Sequence, residues 1–249
     1  MKKTVISIIL FLFPILAFAT NLADSLFSIS GHVFDYKDKS ISACSVCLLN
    51  DDFKIAYSAL TDDNGYYIIE NVPKGEYRGL YAICMDDYPM SQKVSEDDMR
   101  LEFWAWNILL DEDLVINPRY HRLELYGTKV VEMGMGYMIY TRPMSLSGFL
   151  ASKGFDGLSG ISPLLNEIDF QVYANGELLK VNSIQLVDEF VGVNQKPLKG
   201  FIIQVDKFVD SEMSPYIEFR LVAFGKKYEE YGENLYFYRK KNYVKAGYK

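Results

Sequence analysis

The stretch from Leu60 to Tyr77 reads as turn, strand, turn, strand, and it limits what the surrounding chain can become. Asp62-Asp63-Asn64-Gly65 is dense in residues that tolerate tight or left-handed backbone. Tyr66 to Glu70 is aromatic and β-branched, which suits a pleated strand. Pro73 fixes φ at the entry to the next turn, and Gly75 is free to take positive φ there. Gly65 is expected to hold positive φ, so Val should be poorly tolerated in its place and Asn should be tolerated best. Tyr77 to Met85 then opens a further strand.

Similar signals recur from Phe27 to Ile116. Ile29, Gly31 and Val33 alternate with Ser30, His32 and Phe34, and Asp35 to Ser40 is a polar turn. Ala43 to Leu49 and Lys54 to Leu60 read as strands on either side of Asn50-Asp51-Asp52. Leu101 to Leu110 adds another, with Trp104 and Trp106 on one face. About seven short strands at such spacing predict a β-sandwich.

Four segments, in order, carry a family likeness. Gly31-His32-Val33-Phe34-Asp35 is similar to a G-x-V-x-D opening. Ser40 to Leu48 occupies the place of a P-L-P-G-A-x-V-x-L segment. Thr61 to Tyr67 looks like T-D-x-x-G-x-F/Y, and Val72 to Tyr77 looks like L-P-x-G-x-Y. Together they resemble the carboxypeptidase regulatory-like domain, which implies a transthyretin-like sandwich of seven strands over residues 27–116. Ala43 stands where that family usually has Gly, Ser40 and Ser42 replace its prolines, and Asp87-Tyr88 replaces its Gly-Tyr. The likeness implies no catalysis, and the module it resembles is frequent in exported and outer-membrane proteins of Gram-negative bacteria.

The second half resembles no family but also reads as β. Val130 to Thr141 is apolar and interrupted by Gly134 and Gly136, which predicts a bulge or a close backbone approach. Ser145 to Ser162 is rich in Gly and Ser and reads as a long loop. It lacks the strand, helix start and GK[ST] ending of a phosphate-cradling loop. Ile168 to Tyr173 and Leu178 to Val187 flank Asn175-Gly176, a strong hairpin signal. Gly200 to Phe208, Pro215 to Phe224 and Asn234 to Tyr243 complete five or six strands. The expected fold class is therefore all-β, with two β-sandwich domains at 27–127 and 128–249 after a linker at 20–26.

Met1 to Ala19 carries Lys2 and Lys3, an apolar run from Val5 to Leu16, and a small-x-small ending at Ala17-Phe18-Ala19. This is the pattern of a secretory signal peptide, with Thr20 as the expected first mature residue. No Cys lies near that point, which argues against lipid anchoring, and no later stretch is long and apolar enough for a span. Removing Lys2 and Lys3, with no acid, takes the formal charge from −7 to −9. An acidic exported chain is a poor partner for nucleic acid or anionic lipid. Arg239 to Lys249 runs against that balance, with five basic residues and no acid.

Chemistry is sparse. Cys44 and Cys47 have C-x-x-C spacing on a strand rather than at a helix start, so a thioredoxin-like site is not expected. Three buried thiols, with Cys84, is the favoured state, and one disulfide from Cys84 is the alternative. His32 and His121 are far apart and in no metal-ligand spacing, and His32 is expected at the surface. Asp62, Asp63 and Asn64 lack the alternate spacing and closing Glu of a calcium loop, since Glu70 falls within a strand. Glu229-Glu230, next to Lys226 and Lys227, reads as a solvated turn. No catalytic, cofactor-binding or metal-ligating residue is nominated, and no cofactor is expected. The expectation is a non-enzymatic binding or scaffold protein of the periplasm, outer-membrane surface or exterior, with a protein or glycan partner. The alternatives are a hydrolase sited in the second half and an accessory of an outer-membrane receptor complex.

Overall fold

The computed structural model describes residues 25–152, 161–190, 192, 197–209 and 214–240. The expected signal peptide and the tail from Lys241 lie outside the described residues. The first half supplies β1 (Leu26–His32), β2 (Ser45–Leu49), β3 (Ile55–Leu60), β4 (Tyr66–Pro73), β5 (Gly75–Ile83), β6 (Phe103–Leu110) and β7 (Leu114–Val115). The second half supplies β8 (Leu123–Met133), β9 (Gly136–Ser145), α1 (Leu146–Ala151), β10 (Ile168–Ala174), β11 (Glu177–Leu179) and β12 (Val181–Glu189). It ends with β13 (Leu198–Asp206), β14 (Tyr216–Gly225) and β15 (Glu230–Arg239).

The turn before β4 forms for the reason its residues suggest. Asp62 Oδ1 accepts the backbone N–H groups of Asn64 at 2.8 Å and Tyr66 at 2.9 Å, closing an Asx turn. Gly65 takes φ +76°, and a Cβ there would lie 2.7 Å from the Val33 carbonyl oxygen. Asn at this position would therefore satisfy the backbone angle and still collide, so it is not the benign replacement the turn chemistry alone predicts. The next left-handed residue is Asn71 at φ 58°, not Gly75.

The strands form three sheets. β4-β1-β7 is one, β12-β13-β9-β8 is another, and between them runs an eight-stranded sheet in the order β11-β10-β14-β15-β6-β5-β2-β3. That central sheet joins the halves, because β15 pairs parallel with β6 at Asn234–Trp104, Leu235–Ala105 and Tyr236–Trp106. The side chains of β15 show how the layers stack. Leu235 and Phe237 belong to the core under β4-β1-β7. Tyr238 belongs to the core under β12-β13-β9-β8, and Tyr236 packs against it. Successive side chains of a strand point to opposite faces. The two outer sheets therefore lie on opposite faces of the central sheet, each over one end. The molecule is all-β, two sandwiches sharing one sheet, and among the described residues each end of that sheet has one face covered by an outer sheet and one that is not.

Several expectations are corrected in detail. The boundary expected between 127 and 128 falls inside β8, at a break in register next to Gly127 (φ +65°). The apolar run Val130 to Thr141 is the hairpin joining β8 to β9, turning at Gly134-Met135. Gly136 does make the expected close approach, since a Cβ there would lie 2.1 Å from the Val205 carbonyl oxygen. Leu178 to Val187 is two strands that break at Lys180 and enter different sheets. The loop from Ser145 begins with α1, whose first turn is capped by Ser145 Oγ accepting Gly148 N–H at 2.9 Å. Its residues 153–160 lie outside those described. The Asn175-Gly176 hairpin forms as expected between β10 and β11.

Candidate functional site

The staggered layers create a step on each face of the central sheet. On one face, the uncovered strands β10, β14 and β15 meet a wall contributed by the first half. Phe224 and Tyr231 are cross-strand partners on this floor, with ring centroids 4.7 Å apart. Tyr36, carried on the turn after β1, stacks on Tyr231 at 4.8 Å and 17°. His121, between β7 and β8, meets the Tyr36 ring edge at 6.5 Å. These groups border a cleft of about 440 Å³ that also takes in Asp35, Lys37, Asp97, Asp98, Met99, Arg100 and Glu229. That volume lies in the range of small-ligand sites, and its place at the seam of two halves is a usual one.

The polar groups of this recess are partly committed. Asp35 Oδ1 accepts the N–H groups of Lys37 and Lys39, and its Oδ2 lies 3.5 Å from Arg100, which also pairs with Asp87. Tyr36 donates to Glu233 Oε2 at 3.4 Å. Burial raises the Glu233 carboxyl to about 7, against the pull of the Arg220 and Arg119 guanidiniums. Arg220 sits 4.4 Å over the Tyr173 ring on the same floor. His121 is pushed down to about 4 by burial and then by Arg122 and Arg100. Its Nδ1 accepts the Tyr231 N–H at 3.5 Å, which leaves a neutral imidazole with its proton on Nε2. The recess therefore presents aromatic rings, carboxyl groups at Asp97, Asp98 and Glu229, the Lys37 ammonium, and an uncharged imidazole. Such a set offers ring faces together with hydrogen-bond donors and acceptors.

The step on the other face is filled. Trp104 and Trp106 stack at 4.5 Å and 7°, Tyr81 packs on Trp104 at 5.2 Å, and Tyr126 of β8 meets Trp106 edge-on at 6.4 Å. Arg142 covers Tyr126 at 4.7 Å. Trp104 Nε1 donates to Glu102 at 2.8 Å, and Glu102 shares a hydrogen bond with the buried Glu124. Burial, then the neighbouring Glu102, raises the Glu124 carboxyl well above its ordinary value. Two carboxyls in direct contact are too close for either glycosidase spacing, which needs room for a sugar or a water between them. Trp104 and Trp106 do share a face, as expected.

Residues singled out in the sequence are dispersed. Cys44, Cys47 and Cys84 are buried and free, and burial raises the Cys44 thiol to about 12. Its Sγ lies 3.4 Å from the Tyr120 hydroxyl. His32 is at the end of β1 and half-buried between the rings of Phe34 and Tyr66, rather than simply exposed. Asp62, Asp63 and Asn64 form the acidic turn described above. Glu229 is exposed, but Glu230 is not part of a solvated turn. Glu230 is 1% exposed, accepts from Ser145 Oγ at 2.5 Å and Ser147 N–H at 2.9 Å, and faces Arg122 at 3.6 Å. Among the described residues, no group of three or more His, Cys, Asp or Glu is placed to hold a metal ion. No helix among them is long and apolar enough to cross a membrane. Tyr36, Arg119, Phe224, Tyr231 and Glu233 were not visible as a group, since Tyr36 and Glu233 are 197 positions apart.

No family model matches the chain, and no curated protein matches it. Solved structures that align with it include a proposed carbohydrate-binding protein from Bacteroides uniformis ATCC 8492, at 12% identity and TM-score 0.29, over 86% of this chain and 98% of that one. A DUF3823 family protein from Bacteroides ovatus ATCC 8483 aligns at 11% identity and TM-score 0.27, over 86% and 99%. BcpA, the major pilin subunit of Bacillus cereus, aligns at 13% identity and TM-score 0.28, over 85% and 67%. At TM-scores of this size the likenesses carry no argument about the recess.

Proposed function

We propose that this chain is an exported, non-catalytic binding protein of the Gram-negative cell envelope that takes a glycan in the recess at Tyr36, Phe224 and Tyr231. The observation that carries the reading is the three-ring assembly on the rim of a cleft of about 440 Å³. Aromatic rings pack against the C–H faces of sugars, while carboxylates and a neutral imidazole take the hydroxyls. Asp97, Glu229 and His121 stand where those polar groups are needed. The Tyr36 ring is held from behind by its hydroxyl bond to Glu233, and the Tyr231 backbone N–H is held by His121.

The export part of the reading rests on the Met1 to Ala19 pattern. The carboxypeptidase regulatory-like resemblance gains support from two backbone positions. Gly65 of the T-D-x-x-G segment takes φ +76°, and Ala43, at the family's usual Gly position, takes φ 53°. Seven strands, β1 to β7, lie within or beside the 27–116 segment as that resemblance implies.

The test is a glycan panel followed by calorimetry on the purified protein and on Tyr231→Ala. The expected result is a saccharide bound by the wild type and lost, by tenfold or more (about 1.4 kcal/mol), in the variant. Binding of no glycan by the wild type, or equal binding by Tyr231→Ala, would overturn the reading.

A further inference from the structure

The described strands leave six sheet edges: β4 and β7, β3 and β11, β8 and β12. An exposed edge offers unpaired N–H and C=O groups to any other strand, and proteins guard such edges with charge, Pro or brevity. Five of the six are guarded. β4 carries Glu70 and Pro73, β7 has two residues and β11 three, β8 carries Glu124, Lys129 and Glu132, and β12 carries Asp188 and Glu189. β3 is different. Its six residues, Ile-Ala-Tyr-Ser-Ala-Leu, include no charge and no Pro, and its one irregularity is a bulge at Ala56 that leaves the run from Tyr57 to Leu60 regular. Ile55 is 56% and Leu60 67% exposed.

The bonding pattern shows which backbone groups of β3 are open. Thr61 donates its N–H to Cys44, on the β2 side. By the alternation of an antiparallel ladder, Ala59 and Tyr57 also bond toward β2. Ser58 and Leu60 then turn their N–H and C=O groups outward, while Ala56 is the extra residue where the register with β2 breaks between Leu48 and Leu49.

We propose that β3 is the strand through which two copies of this chain pair, antiparallel and related by a two-fold axis at Ser58. The register follows from the open groups. With Ser58 opposite Ser58, the N–H and C=O groups of the two Ser58 residues pair with each other, and Leu60 of each copy stands opposite Ala56 of the other. The same pairing brings Lys54, just beyond the bulge, to the end of the interface where Asp62 of the second copy lies, so each end joins opposite charges. Lys54 is available for this, since its contact with Asp52 is 3.8 Å long and both side chains are about three-quarters exposed. The contact is self-complementary and closes at two copies. Each central sheet continues into the other, and the two glycan recesses, at the far ends, stay open.

Sedimentation velocity over a wide concentration range tests this on the full purified chain. The mass is expected to rise from one chain to two. Ser58→Lys places charge on an exposed edge, and Ser58→Pro removes an outward N–H without touching the β2 ladder. Both should remain at one chain with an unchanged circular dichroism spectrum. If the proline variant misfolds, the lysine variant decides. Lys54→Glu should weaken association several-fold at low salt, and high salt should restore most of it. A wild type that stays at one chain, growth beyond two chains, or Ser58→Lys that pairs like the wild type would each overturn the proposal.

Discussion

The two steps of the central sheet arise from one architectural device, yet one is packed shut and the other stands open. The shut step is built from strand residues on both sides: Trp104 and Trp106 of β6, Tyr81 of β5, Tyr126 of β8 and Arg142 of β9. Regular strands crossing at close range interdigitate and leave little space. The open step has a strand floor but a wall of connections, with Tyr36 and His121 both off the ladders. Loops set the distance between layers less tightly than strands do, and a cleft remains. Filling is not free of cost. Trp106 Nε1, Glu124 Oε1 and Arg142 Nε are buried in the shut step without a hydrogen-bond partner among the described residues, at about 1–3 kcal/mol each. The lesson is that aromatic density alone does not mark a site. What distinguishes the two steps is which secondary structure forms the wall.

If the shut step is structural, truncating its centre should have the largest effect. Trp106→Ala is expected to cost about 3–5 kcal/mol in a denaturant melt. A cost below about 1 kcal/mol, the level of surface positions, would erase the distinction between the steps. Next comes the point where β15 crosses β8. A Cβ on Gly232 would lie 2.0 Å from the Leu123 carbonyl oxygen, so Gly232→Ala should cost about 3 kcal/mol. A silent variant would mean that the sheets separate easily there.

The open step should announce itself through pH. The folded Glu233 carboxyl, at about 7, lies above its ordinary 4.5. A raised carboxyl gives stability that is complete below the ordinary value and is lost as pH climbs through the folded one. The folded His121, at about 4, lies below its ordinary 6.5, so its contribution is complete above 6.5 and lost as pH falls toward 4. The two slopes oppose each other between pH 4.5 and 6.5. Glu233→Gln should therefore gain up to about 3 kcal/mol over the wild type above pH 7, and it should expose the acid-side loss due to His121. Melting temperatures across pH 4–8 that are parallel for the two proteins would refute this assignment.

Away from both steps, Gly65 calibrates the scale. Its φ alone makes a side chain cost about 1–2 kcal/mol, and the Val33 oxygen adds a collision. Gly65→Val is expected to lose more than Gly65→Asn, both measurably and both equally with and without calcium. A calcium-dependent difference would revive a metal loop at Asp62 to Asn64. The smallest stability effect belongs to Tyr231→Ala. Tyr231 is 37% exposed, and the loss should stay near about 1 kcal/mol, typical of partly exposed positions, while glycan binding falls. A large stability loss with binding intact would exchange the roles of the two steps.

What could be read from the sequence was what short-range pattern determines. Asp62 to Gly65 forms its turn from its own side chains, and Asn175-Gly176 its hairpin. The strands of the first half follow from alternation and punctuation. The missed features depend on distant partners. Glu229-Glu230 next to two lysines looks solvated, and nothing local shows that Ser145 and Arg122 enclose Glu230. Leu178 to Val187 has one continuous pattern, and only the two sheets claiming its ends break it at Lys180. The face-switch in β6 is another case. Phe103 and Ala105 face the core, then Ile108 and Leu110 do, with Asn107 at φ 59° between them. The recess was hidden for the same reason, since its floor and wall come from opposite ends of the chain.

The parallel pairing of β6 with β15 has a consequence for the order of events in the life of the chain. Asn107 donates to the Phe237 carbonyl across 130 positions, and Leu235 and Phe237 complete the first-half core. During synthesis, or passage through any channel that delivers the N-terminus first, all seven early strands emerge before that core can close. Its β6 edge stays open until the last described strand arrives. Contacts of such long span form late and slowly. The first half therefore stays incomplete while the chain is in transit, and it locks once β15 has passed.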